Sequence, residues 1–128
     1  MDPIADMLTG IRNASAVENE TASIPFSKLS FAVGEILARE KWVKELVMQG
    51  KKARKTFDIM LKYSGKTPAI TGIRRVSKPG KRVYKGWRDL RPVRQGYGML
   101  VISTPAGLCT DKEARKLKVG GEVLLEVW

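Results

Sequence analysis

The stretch from Gly96 to Asp111 narrows the possible folds more than any other part of the chain. Met99 to Ile102 is a short apolar run, bounded by Gly98 before it and by Ser103-Thr104-Pro105 after it, and such a run reads as a buried, central strand. Thr110 and Glu113 have the spacing of a capping box, in which each side chain satisfies a backbone N–H at the start of a helix. The pattern therefore predicts a strand, a tight loop and a helix. The loop holds two hydroxyls, a proline that fixes φ, Gly107 with its tolerance of positive φ, and the unpaired N–H groups of a helix N-terminus. These groups suit a phosphate, a ribose or a base edge. Taken alone, the same residues are read more readily as an ordinary turn.

Charge shifts the balance. The 128 residues include 24 Lys and Arg against 13 Asp and Glu, a net charge of +11, and a field of that sign attracts polyanions, nucleic acid first among them. Residues 1–64 hold 10 basic and 8 acidic side chains, whereas 65–128 hold 14 and 5, so the excess is C-terminal. Between Arg74 and Arg94 there are nine basic residues and one acidic one, Asp89. Lys81, Arg82 and Arg88 within this run are expected to neutralise phosphates by counterion release. Tyr84 and Trp87 lie among them and fit either a base-stacking surface or the core.

The rest of the chain alternates helical and strand periodicities. Asp2 and Pro3 form a helix start, followed by Ile4, Met7, Leu8 and Ile11 on one face, with Arg12 on the polar side. Thr21 to Ile24 is extended and closed by Pro25, and Ser27 caps a second helix with Leu29, Ala32, Val33, Ile36 and Leu37 on one face. Trp42 to Met48 and Phe57 to Tyr63 predict a hairpin, whose basic connection Gly50 to Lys55 suits either phosphate contact or a solvated tip. Ser64 to Pro68 has linker composition, which places a boundary between domains 1–64 and 65–128. Ala69 to Val76 predicts a strand broken by Gly72, and Glu122 to Trp128 a closing strand with Val123, Leu125 and Val127 on one face.

Composition also removes classes of function. A single cysteine, Cys109, and no histidine leave no disulfide framework and no usual zinc spacing, so no metal or cofactor is expected and a reducing compartment fits. General acid–base or nucleophilic catalysis has few candidates, which argues against an enzyme and a small-molecule substrate. Gly96-Tyr97-Gly98 precedes its strand and lacks the third glycine of a dinucleotide fingerprint. No targeting leader is evident at Met1-Asp2-Pro3, and no apolar run nears the ~20 residues of a membrane span, so a cytoplasmic protein is expected.

In sequence order, these residues resemble a family: small-subunit ribosomal protein eight of bacteria and organelles. The landmarks are Asp2-Pro3-Ile4-Ala5-Asp6-Met7-Leu8-Thr9 with Ile11-Arg12-Asn13, then Ser27-Lys28-Leu29, then Val76-Ser77-Lys78-Pro79-Gly80 before Val83-Tyr84-Lys85. Ser103-Thr104, Gly107, Thr110-Asp111 with Ala114-Arg115, and Gly120-Gly121-Glu122 complete the set. The resemblance implies an α+β fold of two small packed domains, the first with two helices and a short sheet, the second a mostly antiparallel sheet with one short helix. It implies binding to the central domain of 16S rRNA during assembly of the platform, beside small-subunit proteins five and twelve. By matched position, Ser103 and Thr104 would hydrogen-bond an irregular RNA helix, with Gly107 in the same loop and Tyr84 and Lys85 along the backbone nearby. Lys28 and Arg12 would add contacts from the first domain. A-form RNA is read through its shallow groove, its 2′-hydroxyls and distorted bases, a task that short hydroxyl side chains on a stiff loop suit. Pro105 stands where the family usually has a third hydroxyl, Gly10 where an arginine is common, and Cys109 where an apolar residue is usual. The same basic face would also serve a translational repressor acting on a messenger that imitates the ribosomal site.

Overall fold

Local signals at the helix starts act as the sequence predicts. A computed structural model describes residues 2–49 and 55–128. Helix α1 (Pro3–Ala16) begins where the Asp2 carboxylate accepts from the Ala5 N–H at 3.2 Å, and α2 (Lys28–Arg39) where the Ser27 hydroxyl accepts from Ser30 N–H at 3.0 Å. Each cap satisfies a backbone donor that the helix itself leaves orphaned. The chain divides into two compact units, Met1–Thr71 and Gly72–Trp128.

In the first unit, strands β1 (Thr21–Pro25), β2 (Val43–Gln49) and β3 (Thr56–Leu61) form an antiparallel sheet in the order β1-β3-β2. Pro25 is tolerated because β1 is an edge strand. Phe57, Ile59 and Leu61 share the inward face of β3 and are buried, as are Ile4, Met7, Leu8 and Ile11 of α1 and Val33, Ile36 and Leu37 of α2. Leu29, expected on that buried face, is 39% exposed. Gly34 explains the rotation: a Cβ there would come within 3.0 Å of Leu46 and 3.4 Å of Phe57, so the sheet presses on the Ser30, Gly34 and Leu37 stripe and Leu29 turns out. The expected linker is instead a small hairpin of β4 (Tyr63–Ser64) and β5 (Thr67–Pro68) turning at Gly65, where φ is 64°. A boundary after residue 64 would cut this hairpin. Composition misleads here because turn residues serve a tight hairpin as well as they serve a linker. The basic connection, residues 50–54, lies outside the described residues.

The second unit contains β6 (Ile73–Arg75), β7 (Tyr84–Lys85), β8 (Met99–Thr104), β9 (Gly107–Thr110), α3 (Asp111–Leu117) and β10 (Gly121–Val127). Its antiparallel sheet runs β6-β10-β8-β9, with β7 also pairing β10. Strand β8 is thus interior, and α3 starts on the predicted capping box. Two expectations change. Val123 and Leu125 do not share a face, because the register shifts between them: Val123 opposes Ile102 and Leu125 opposes Val101. A bulge of this kind sets two residues against one and reverses the alternation beyond it. Val123 therefore joins Leu90, Ile102, Cys109 and Ala114 in a buried cluster under α3.

The second change concerns the loop after the predicted central strand. Thr104 and Gly107 pair across a two-residue turn, so Ser103 to Gly107 is a hairpin tip and does not run into a helix. Pro105 has the fixed φ that the first turn position favours, and Gly107 has φ 114°, a conformation L residues rarely adopt. The α3 N-terminus, one whole strand further on, is closed by its own capping box.

Candidate nucleic-acid interface

The register of the second sheet sets the predicted residues beside one another. Tyr84 opposes Glu122, Glu122 opposes Ser103, and Ser103 opposes Leu108, so one row of side chains crosses four strands on one face. Strand spacing puts Tyr84 and Ser103 about 10 Å apart, with Glu122 between them. Lys85 opposes Gly121, and Thr104 opposes Gly107. The strands converge here because Gly120 and Gly121 carry no side chain. A Cβ on Gly120 would come 2.5 Å from the Lys85 carbonyl oxygen, and one on Gly121 would meet the Ser103 carbonyl oxygen.

The two hydroxyls do different work. Thr104 Oγ1 donates to the Gly107 carbonyl at 2.7 Å and accepts from the Ala106 N–H at 3.1 Å, which clasps the hairpin tip. The half-buried Ser103 hydroxyl makes no hydrogen bond among the described residues, so its donor and acceptor are available to a ligand. Tyr84 is 69% exposed, which resolves it as a surface ring, whereas Trp87 is half-buried against the core cluster.

The cations form separate groups. Lys78 and Lys81 exchange backbone hydrogen bonds of 3.0 and 2.9 Å across a turn that presents Lys81 and Arg82 to solvent. Buried Ser77 fixes this turn, accepting from the Val83 N–H at 2.9 Å and donating to the Val83 carbonyl at 3.2 Å. Ser77→Ala would leave that N–H without its partner, so a loss of about 1–3 kcal/mol in stability is expected in a denaturant titration. Arg82 is already paired: its Nη1 lies 3.1 Å from Glu122 Oε2. Burial lowers the pKa of Arg75 from its ordinary value and neighbouring Arg82 lowers it further, while Glu122 opposes both. An arginine remains charged regardless. Arg88 belongs elsewhere, on the 3-10 turn Trp87–Asp89 that packs beside α3 on the opposite face of the sheet from Ser103. In the first unit, Arg12 is exposed on α1 and Lys28 is exposed at the first turn of α2.

Glu122 lies outside an expectation built on cations, yet it is the central side chain of the row. The sequence signal was a lone carboxylate after paired glycines, opposite a strand rich in hydroxyls. Among the described residues, no three His, Cys, Asp or Glu side chains group as metal ligands, and no helix is long and apolar enough to cross a membrane. A hollow of about 360 Å³ in the first unit is lined by Glu18, Glu20, Lys44 and Lys66 together with Met60 and Tyr63, a mixture of charge that gives no preference for a polyanion.

Residues 2–128 match the family model described as ribosomal protein S8. The chain belongs to the ribosomal protein S8 family. It is 49% identical over 129 residues to the small ribosomal subunit protein uS8 of Chloroflexus aggregans, covering 99% of this chain and 97% of that one. The uS8 proteins of Roseiflexus castenholzii and a Synechococcus strain are 48% and 46% identical, with 99% of this chain and 97% of each relative covered. S8 proteins are structural proteins of the ribosome and not enzymes.

Proposed function

We propose that this S8 protein is a structural constituent of the small ribosomal subunit that binds the central domain of 16S rRNA and helps assemble the platform of the 30S subunit in the cytoplasm. The observation that carries the reading is the Ser103 hydroxyl, half-exposed and unpaired among the described residues, held in one row with the exposed ring of Tyr84. In this reading Ser103 bonds a 2′-hydroxyl or base edge at a distorted site, and Tyr84 lies against a sugar or an unpaired base. Lys81 and Arg82, the latter oriented by Glu122, hold phosphates, Lys85 contributes charge from the other side of its strand, and Thr104 and Gly107 fix the shape of the tip. Arg12 and Lys28 add contacts from the first unit, and small-subunit proteins five and twelve are the expected protein neighbours.

Footprinting on 16S rRNA and titration with a central-domain fragment test this reading. Ser103→Ala is expected to lose about 1–3 kcal/mol of affinity, the cost of leaving a polar partner unpaired. Thr104→Ala should lose less affinity and some stability, and Thr104→Ser, which keeps the clasp, should behave as the parent. Equal affinity for the central domain and for bulk RNA of the same length at moderate salt would overturn the reading.

A further inference from the structure

A second cationic surface lies on the other side of the same sheet. Helix α3 packs Ala114 into the buried cluster with Ile102, Cys109 and Val123. Lys112 and Lys116 each stand two residues from Ala114, roughly 160° round the helix from it, so both project from the outer face. Both are exposed and neither has a partner among the described residues. The helix's own carboxylates are engaged elsewhere: Asp111 with Arg115 at 2.9 Å, and Glu113 with the Thr110 N–H at 2.9 Å. Beside the helix, Lys118 Nζ lies 5.8 Å and Arg88 Cζ 5.2 Å from the centre of the Trp87 ring. Exposed Asp89 is the acidic residue of the neighbouring turn, outnumbered by these four cations.

Two features of this surface run against local stability. Like charges at i and i+4, as in Lys112 and Lys116, repel, where a solvated helix gains from opposite pairs. Lys118 takes the left-handed conformation that ends the helix, φ 58° and ψ 45°, a position suited to glycine or asparagine. Local rules broken together on one surface point to a ligand that compensates them, and four cations with one opposing carboxylate fit a row of phosphates. The outer face of α3 lies roughly 15 Å from the sheet plane, on the side away from Ser103. An RNA helix seated on the Ser103 row does not reach it.

We infer that the outer face of α3, with Lys112, Lys116, Lys118 and Arg88, binds the phosphate backbone of a second RNA segment, separate from the one held by the Ser103 row. This inference rests on the RNA-binding reading above and extends it to a domain that is clamped between two stretches of RNA.

The test compares two RNAs, a short helix carrying only the Ser103 site and the whole central domain, each titrated across a salt series. Lys112→Gln with Lys116→Gln, both surface changes, is expected to bind the short helix within about twofold of the parent. Affinity for the whole domain should fall about tenfold, and the slope of log affinity against log salt should drop by roughly 1.5 to 2, in line with two lost phosphate contacts. Equal losses on both RNAs would make this surface part of the first site and overturn the inference. So would unchanged binding to both, the result expected if the exposed Leu117 beside these lysines marks a protein contact instead. Ser103→Ala, run in parallel, should weaken both RNAs. If it weakens neither while the lysine variant still costs the longer RNA its affinity, the first reading fails and the second surface stands.

Discussion

Gly121→Ala is expected to be the most damaging single methyl that can be added to the Ser103 end of the second sheet. The new Cβ would meet the Ser103 carbonyl oxygen and come within 2.9 Å of the Ser103 carbonyl carbon and 3.2 Å of the Thr104 Cα. All three are backbone atoms of the neighbouring strand, so no rotamer change relieves the overlap, and β8 must move away from β10. Overpacking of a well-filled site costs about 1–3 kcal/mol, and an obstacle of backbone puts this case at the top of that range. In a unit this small such a loss lowers the melting temperature by on the order of 10 °C. Moving β8 also separates Ser103 from Tyr84, whose relative placement depends on both strands pairing with β10. Affinity for the central-domain RNA should therefore fall about a hundredfold, or roughly 2.7 kcal/mol, even below the melting transition. Thermal unfolding and RNA titration of the same preparation check both parts. Parental values in both would mean that the strands are not held at this separation.

The contrast between legible and illegible features follows the range of the interactions behind them. Asp2, Ser27 and Thr110 each act on a backbone donor within three residues, so the three helix starts can be read from the sequence alone. The alternation of Phe57, Ile59 and Leu61 is equally local, since one strand repeats with a period of two wherever it pairs. The bulge that turns Val123 away from Leu125 exists only relative to β8, and no residue of β10 encodes it alone. Leu29 is exposed because a sheet distant in sequence presses on Gly34. At the proposed interface, hydroxyls and positive charge are visible as composition. That Thr104 spends its hydroxyl on the tip, that Arg82 is held by Glu122 and that Arg88 sits on the far face all depend on tertiary placement.

Asp111→Ala should produce a comparable loss of stability by the opposite means, removing a buried group instead of adding one. Backbone pairing between β8 and β9 ends at Val101 and Thr110, and the next donor along β8, the Leu100 N–H, is taken by Asp111 Oδ1 at 3.0 Å. The other carboxylate oxygen accepts from Arg115 Nη1 at 2.9 Å, one turn along α3. Asp111 is 4% exposed, so the side chain that ends the strand ladder also anchors the helix covering the core cluster. Alanine leaves the N–H unpaired and the guanidinium without its counter-charge. Breaking a buried pair costs about 3–5 kcal/mol, and the partial exposure of Arg115 places this one near 3. A fall in melting temperature on the order of 10 °C follows. Asp111→Asn retains an acceptor for Leu100 and gives up only the charge, so it should lose about half as much. Because the carboxylate faces inward, RNA affinity measured well below the transition should match the parent for both variants. A melting temperature for Asp111→Ala within about 2 °C of the parent would show that the carboxylate contributes less than a single ordinary hydrogen bond.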